Sequence, residues 1–323
     1  TSLLRQPSMQ TAKIGLLLWL AFQSVASAAA EKSSSDGSKE PDPKPEVEQW
    51  TRDGDLGSLP KCVSSTLPLS DQANQQDWVP FPRLTDEFDG PSLDLQKWTN
   101  HPRSWKGRQP SWFSPANVNV KEGQLQLTMK LEEPPQSLKE AGYHTYSSAI
   151  VYSENLVKYG YFEIRAKPMN SAGSSSFWFS DSAGKWRTEI DVFELEGKAK
   201  GIEHKYNMNL HVFQTPESKK HWNLGNNWVD PSRFADDFHV FGLEWDEQQL
   251  TYYVDGVPVR RVENTHWHQP LYMIFDSESM TNWLGTPEFE DLPSVYRVDY
   301  VRAWKSRPKK VANKEVSSST PKQ

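Results

Sequence analysis

Between residues 77 and 305 the chain runs in short stretches of alternating apolar and polar residues, broken repeatedly by turn signals. Asn117-Val118-Asn119-Val120 alternates, Lys121-Glu122-Gly123 turns, and Gln124 to Met129 alternates again, which predicts a hairpin. Tyr159 to Lys167 has the same period of two, and Tyr296 to Trp304 alternates strictly. Phe238 to Trp245 and Leu250 to Val254 are strand-like, and Asp255-Gly256 then signals a tight hairpin turn into Val257. No long amphipathic helical period is present. Many short strands at close spacing predict an all-β fold, a two-sheet antiparallel sandwich of jelly-roll type.

The flanks differ in composition. Arg5 and Lys13 precede an apolar run from Ile14 to Phe22, too short to span a membrane comfortably, and Ala-x-Ala patterns follow at Ala26-Ser27-Ala28 and Ala28-Ala29-Ala30. Residues 1–30 are expected to be a secretory signal, giving a secreted, periplasmic or extracellular protein with no membrane attachment after cleavage. Residues 31–76 are polar and include Pro41-Asp42-Pro43-Lys44-Pro45, so a disordered linker is expected there. The single cysteine, Cys62, falls in that stretch; it has no intrachain partner and is not expected to be catalytic. The polar, basic residues 306–323 are expected to be a disordered tail. One domain, 77–305, remains.

Within it, one run stands out: Glu189-Ile190-Asp191-Val192-Phe193-Glu194. Hydrolysis of a glycosidic bond needs two carboxyl groups, about 5–5.5 Å apart for retention and about 6.5–9.5 Å apart for inversion. On a strand, Glu189 and Asp191 share a face, whereas Glu194 is an odd number of steps away and points to the other side. A β-bulge near Val192-Phe193 would return it to the same face. Three acids on one face repel, so their pKa values separate: one stays ionised as nucleophile, one is raised as acid and then base, and Asp191 tunes both. A solvated acidic strand is the structural alternative, but Phe177-Trp178-Phe179 and Trp186 make this a mostly apolar setting.

Composition agrees with a sugar ligand. The chain has 14 Trp, whose flat faces suit the C–H faces of sugar rings, although most single Trp are core residues. A net charge of -6 argues against nucleic acid.

These residues resemble glycoside hydrolase family 16, whose Glu-x-Asp-x-x-Glu signature has this bulged form in laminarinases, agarases, porphyranases and κ-carrageenases. Asp86-Glu87-Phe88-Asp89, Tyr159 to Lys167, Ser176 to Phe179, Phe241 to Trp245 and Val298 to Arg302 match the same pattern in order. The resemblance implies a concanavalin A-like β-jelly roll with a substrate cleft across its concave sheet, and endo-hydrolysis with retention. It implies Glu189 as nucleophile, Asp191 as assisting acid and Glu194 as general acid/base.

Asn209-Leu210-His211-Val212-Phe213 and Trp105-Lys106-Gly107-Arg108, with Trp112-Phe113 after it, resemble the red-algal galactanase branch of agarases and porphyranases. Trp105, Arg108, Trp112, Trp178, Trp186, Arg187 and His211 are thus the expected substrate contacts. Arg103, Lys106 and Arg108 suit an anionic, sulfated galactan, since guanidinium binds oxyanions in bidentate fashion; a solvated basic loop is the alternative. No cofactor is expected for catalysis. The resemblance also implies a structural calcium at Glu87, Gly123 and Asp299. The expected partner is a polysaccharide, and a monomer is expected. Competing readings are a κ-carrageenan or furcellaran hydrolase, a laminarinase-type β-glucanase, and a non-catalytic carbohydrate-binding jelly roll.

Overall fold

The computed structural model describes residues 46–307, and the regions expected as signal, 31–45 of the linker and 308–323 of the tail lie outside them. Strands dominate, and they pair almost entirely antiparallel; Trp112–Phe113 on Tyr146–Val157 is a parallel exception. The back sheet runs, in order, Gln49–Thr51, Val257–Glu263, Gln249–Val254, His239–Trp245, Gly160–Lys167, Ser294–Ser306, Gln124–Leu131 and Val118–Lys121. The front sheet runs Lys205–Gln214, Arg187–Leu195, Gly173–Ser180, Leu271–Ser279, Tyr146–Val157 and Trp98–Thr99. Lys130 paired with Ser147 joins the two at one edge.

The alternation read from the sequence is the alternation that builds the core. Leu125, Leu127, Met129, Phe162 and Ile164 turn inward from the back sheet; Phe177, Phe179, Ile190, Leu210, Met273 and Phe275 turn inward from the front, and all form one cluster. Phe177 stacks on Phe275 with ring centroids 5.2 Å apart. Each such ring contributes about 1.5–3 kcal/mol on burial. Both expected hairpin turns are present. Glu122 and Gly123 have φ of 59° and 69°, and Asp255 and Gly256 have 48° and 78°, the left-handed pair a two-residue hairpin requires. The last strand is not strictly alternating: its register shifts between Val298 and Tyr300.

Residues 46–76 are not a linker, which corrects the expectation. Gln49–Thr51 pairs with Val257–Glu263, and Val47 joins the core. The segment after it lies over the outer side of the back sheet, where side chains reach its backbone. Trp304 Nε1 donates to Thr66 O at 2.7 Å, and Glu163 Oε2 accepts from Leu69 N at 2.8 Å. The physical reason is that Tyr161, Trp78 and Trp304 crowd the outer side of that sheet and need cover from water. Polar composition hid this, because the sheet supplies the aromatics and the segment supplies mostly backbone. Cys62 is exposed within it.

Candidate active site

The front sheet positions the acids. Along Arg187–Leu195, Glu189 pairs with Ser180 and Asp191 with Trp178, but Phe193 pairs with Phe177 and Glu194 with Ser176. Two residues, Val192 and Phe193, are therefore fitted against one step of the neighbouring strand. Both are fully buried. The bulge expected from the spacing is present, and it restores Glu194 to the side of Glu189 and Asp191.

A cleft of about 430 Å³ lies over these acids, lined by Glu189, Asp191, Glu194, Trp105, Trp178 and Arg187 among others. A second cavity of about 370 Å³ adjoins it at Glu194, lined by Asn207, Asn209, Asn226, Asn227 and Trp283. Glu194 alone of the three acids borders both.

Asp191 is buried, and His211 Nε2 lies 3.2 Å from its Oδ2. One carboxylate oxygen each of Glu189 and Asp191 and a ring nitrogen of His211 all lie within 4.8 Å of one another. Burial, followed by the charge on Asp191, pushes Glu189 up to about 8; His211, Ser180 and Arg187 act against this. Burial and then the charges of Asp191, Glu278 and Glu189 hold Glu194 well above the usual carboxylate range, with Arg108 opposing. Burial alone would lower His211, but its hydrogen bond and attraction to Asp191, with Glu189, outweigh this and raise it.

Two further acids were not foreseen. Asp276 and Glu278 stand on Leu271–Ser279, line the same cleft and are buried. Ser176 pairs with Glu194 on one side and Asp276 on the other, so the carboxyls form a row across the sheet. Trp178 Nε1 donates to Asp276 Oδ1 at 2.6 Å, and Asp276 Oδ2 has no partner among the described residues. Their signal was available: Tyr272, Ile274, Asp276 and Glu278 keep a period of two, with the same acid spacing as Glu189 and Asp191.

The other expected contacts divide. Trp105 packs edge-on against Phe113 and Trp178, at 4.8 and 6.0 Å. Arg103 lies over Tyr272 at 3.8 Å and Arg187 over Phe213 at 4.8 Å, both in the cleft. Arg108 lines the cleft too, yet two of its nitrogens are held by Glu278 at 3.0 and 3.3 Å. Lys106 turns back on its own loop, donating to Pro102 O and Arg103 O. Trp112 is a correction: it is buried, and strand alternation turns Phe113 rather than Trp112 under the cleft floor. Trp186 is another, because it precedes the strand and turns to His266, 6.2 Å away, outside the cleft lining.

The expected calcium set does not fit. Glu87 is held by Arg302 through two 2.8 Å bonds, and Asp299 by Arg165 at 2.8 Å. A cation there would compete with two guanidinium groups for the only carboxylates of the set.

The family described as Beta-porphyranase A-D, GH16 domain, matches residues 78–306. Beta-porphyranase D of Zobellia galactanivorans is 30% identical over 287 residues, covering 76% of this chain and 66% of that protein. Beta-porphyranase B of Phocaeicola plebeius is 28% identical, covering 72% of this chain and 85% of that protein. The crystal structure of porphyranase B from Zobellia galactanivorans superposes with a TM-score of 0.64 at 24% identity, over 71% of this chain and 92% of that one.

Proposed function

The chain belongs to the β-porphyranase A–D group of glycoside hydrolase family 16, and we propose that it is a retaining endo-hydrolase of β-1,4 linkages in red-algal galactans of the agarose and porphyran type. The observation that carries the reading is the bulge that gathers Glu189, Asp191 and Glu194 on one side of the front sheet, in a cleft.

The roles follow from the electrostatics. Burial and three acids stand against the ionised form of Glu194, with Arg108 opposing them, so it takes up a proton first and is the general acid. Glu189 has His211, Ser180 and Arg187 favouring its ionised form against burial and Asp191, more support than Glu194 has, so of the two it gives up its proton first and is the nucleophile. In the first step Glu194 gives its proton to the glycosidic oxygen while Glu189 bonds to the anomeric carbon and the leaving chain departs. In the second, Glu194 takes a proton from water, whose oxygen displaces Glu189 from the same carbon. Two inversions give retention.

Glu189 lines only the larger cavity, so the sugar attacked lies there and the departing chain crosses toward Asn207 and Trp283. Arg103 and Arg187 stand in the larger cavity, which supports a sulfate-bearing galactan on that side. Action outside the cell is part of the proposal, supported by the leader-like residues 1–30 and by a polymeric substrate.

The test is a panel of porphyran, agarose, furcellaran, κ-carrageenan and laminarin with product sizing. Even-sized oligosaccharides from porphyran or agarose support the reading. Cleavage of laminarin alone, or of none, overturns it.

A further inference from the structure

Asp191 is the buried end of a chain of hydrogen-bonding groups. His211 Nε2 faces its Oδ2 at 3.2 Å, and the other ring nitrogen, Nδ1, lies 2.9 Å from His221 Nε2. The two imidazoles are within 16° of one plane, so this is an in-plane N–H···N contact. His221 is exposed. It is ten residues from His211 in sequence, brought back by the pairing of Val212 with Trp222 and His211 with Asn223. Phe213 lies nearly parallel to both rings, at 5.3 and 4.6 Å, and fixes their common plane.

The proton count in this chain is restricted. Ionised Asp191 only accepts, so His211 Nε2 must carry hydrogen. The facing nitrogens of the two histidines share one proton between them. When His211 is a cation it donates Nε2–H to Asp191 and Nδ1–H to a neutral His221. When His211 is neutral, His221 donates to it instead. A proton gained at His221 Nδ1 is thus balanced by release of the Nε2 proton to His211 Nδ1, and the Asp191 contact is never broken.

We propose that His221 is a positioning residue: it accepts the Nδ1 proton of His211, so that His211 stands as a cation beside Asp191 and keeps Glu189 ionised for attack. Among the described residues, charged groups near this pair include Glu189 on the acid strand and Arg187, 4.8 Å over Phe213. Lys220 precedes His221 on its hairpin, and His266 lies beyond Trp222, 5.1 Å from that ring. His211 is among the groups that lower Glu189, which is the route by which His221 reaches the nucleophile. The inference rests on the roles given above to Glu189 and Glu194.

The experiment compares wild type, His221→Phe and His221→Gln in two readouts. One is the pH profile of kcat/KM on porphyran oligosaccharides. The other is the ring nitrogen NMR titration of His211 in the free protein. His221→Phe is expected to move the acid limb up by about half to one pH unit, lower the His211 titration by a similar amount and leave KM unchanged. His221→Gln, whose carbonyl accepts the Nδ1 proton, is expected to restore both. An unchanged His211 titration in His221→Phe overturns the proposal. So does a rise in KM that is uniform with pH, which would make His221 a substrate contact. A wild-type protein that cleaves no galactan sinks the hydrolase reading instead, while the ring titration still decides the histidine pair.

Discussion

Asp191 and Glu194 stand three residues apart on one strand, yet their partners on the next strand, Trp178 and Ser176, are two apart. That one-residue discrepancy is the bulge on which the site depends. It buries two consecutive side chains, Val192 and Phe193, and leaves two acids on the same side of the sheet. Stability and chemistry are thus separated along neighbouring positions.

Substitution at the two positions is expected to part accordingly. Phe193 packs 4.6 Å from Phe241 with no exposed surface, so Phe193→Ala is expected to cost about 3–5 kcal/mol in chemical denaturation. Glu194→Gln removes one member of a mutually repelling set. It is expected to hold or raise Tm while abolishing turnover of unactivated polysaccharide. A Tm lowered as far as that of Phe193→Ala would count against the electrostatic account.

Arg108 pairs with buried Glu278 while its own side chain is 54% exposed. Arg108→Ala strands the Glu278 carboxyl, at an expected cost of about 1–3 kcal/mol. The same change removes the cation that opposes the rise of Glu194, so the alkaline limb of the pH profile is expected to move up. A profile that keeps its limbs shows that Arg108 does not act on Glu194.

Burial is the first cause that pushes Glu163 up to about 7 from 4.5, and burial with Asp191 pushes Glu189 to about 8. Raised folded-state values stabilise fully below the unfolded value and lose that contribution as pH rises through the folded one. Tm is therefore expected to fall between about pH 5 and about pH 8. Glu163→Gln keeps a carbonyl acceptor for Leu69 N–H, turns its amide N–H toward the Tyr300 hydroxyl oxygen, and is expected to flatten the fall. Calorimetry across that range checks it; a Tm that climbs with pH contradicts it.

Much of this was legible in the sequence because a strand writes its two faces into alternating residues. The hairpins at Gly123 and Gly256, the acid run and its bulge were all readable by parity. What parity does not carry is contact between distant segments. Residues 46–76 read as linker because their cover of Tyr161 and Trp304 rests on backbone atoms. Trp112 and Trp186 were placed by proximity in sequence to the site, and the chain direction at each turns them away. His221 was invisible because only hairpin pairing returns it to His211.

Arg103 and Arg187 are the cleft arginines with no close ion pair among the described residues, each resting on an aromatic ring, although the charge of Arg187 also reaches Glu189. Arg187→Ala is expected to weaken porphyran cleavage by about 10- to 100-fold in kcat/KM, the loss of one charge-assisted contact to sulfate. Agarose, which lacks the sulfate, is expected to change far less. Equal losses on both polymers would assign Arg187 to the acids rather than to the substrate.

The most direct test is proton NMR of the first reducing ends released from porphyran by wild type, with Glu189→Gln run beside it and its fold verified by Tm. The account predicts β-anomer appearing first from wild type, with α following only by mutarotation, and no product from Glu189→Gln. Initial α-anomer, or cleavage by Glu189→Gln at the wild-type rate, would contradict it.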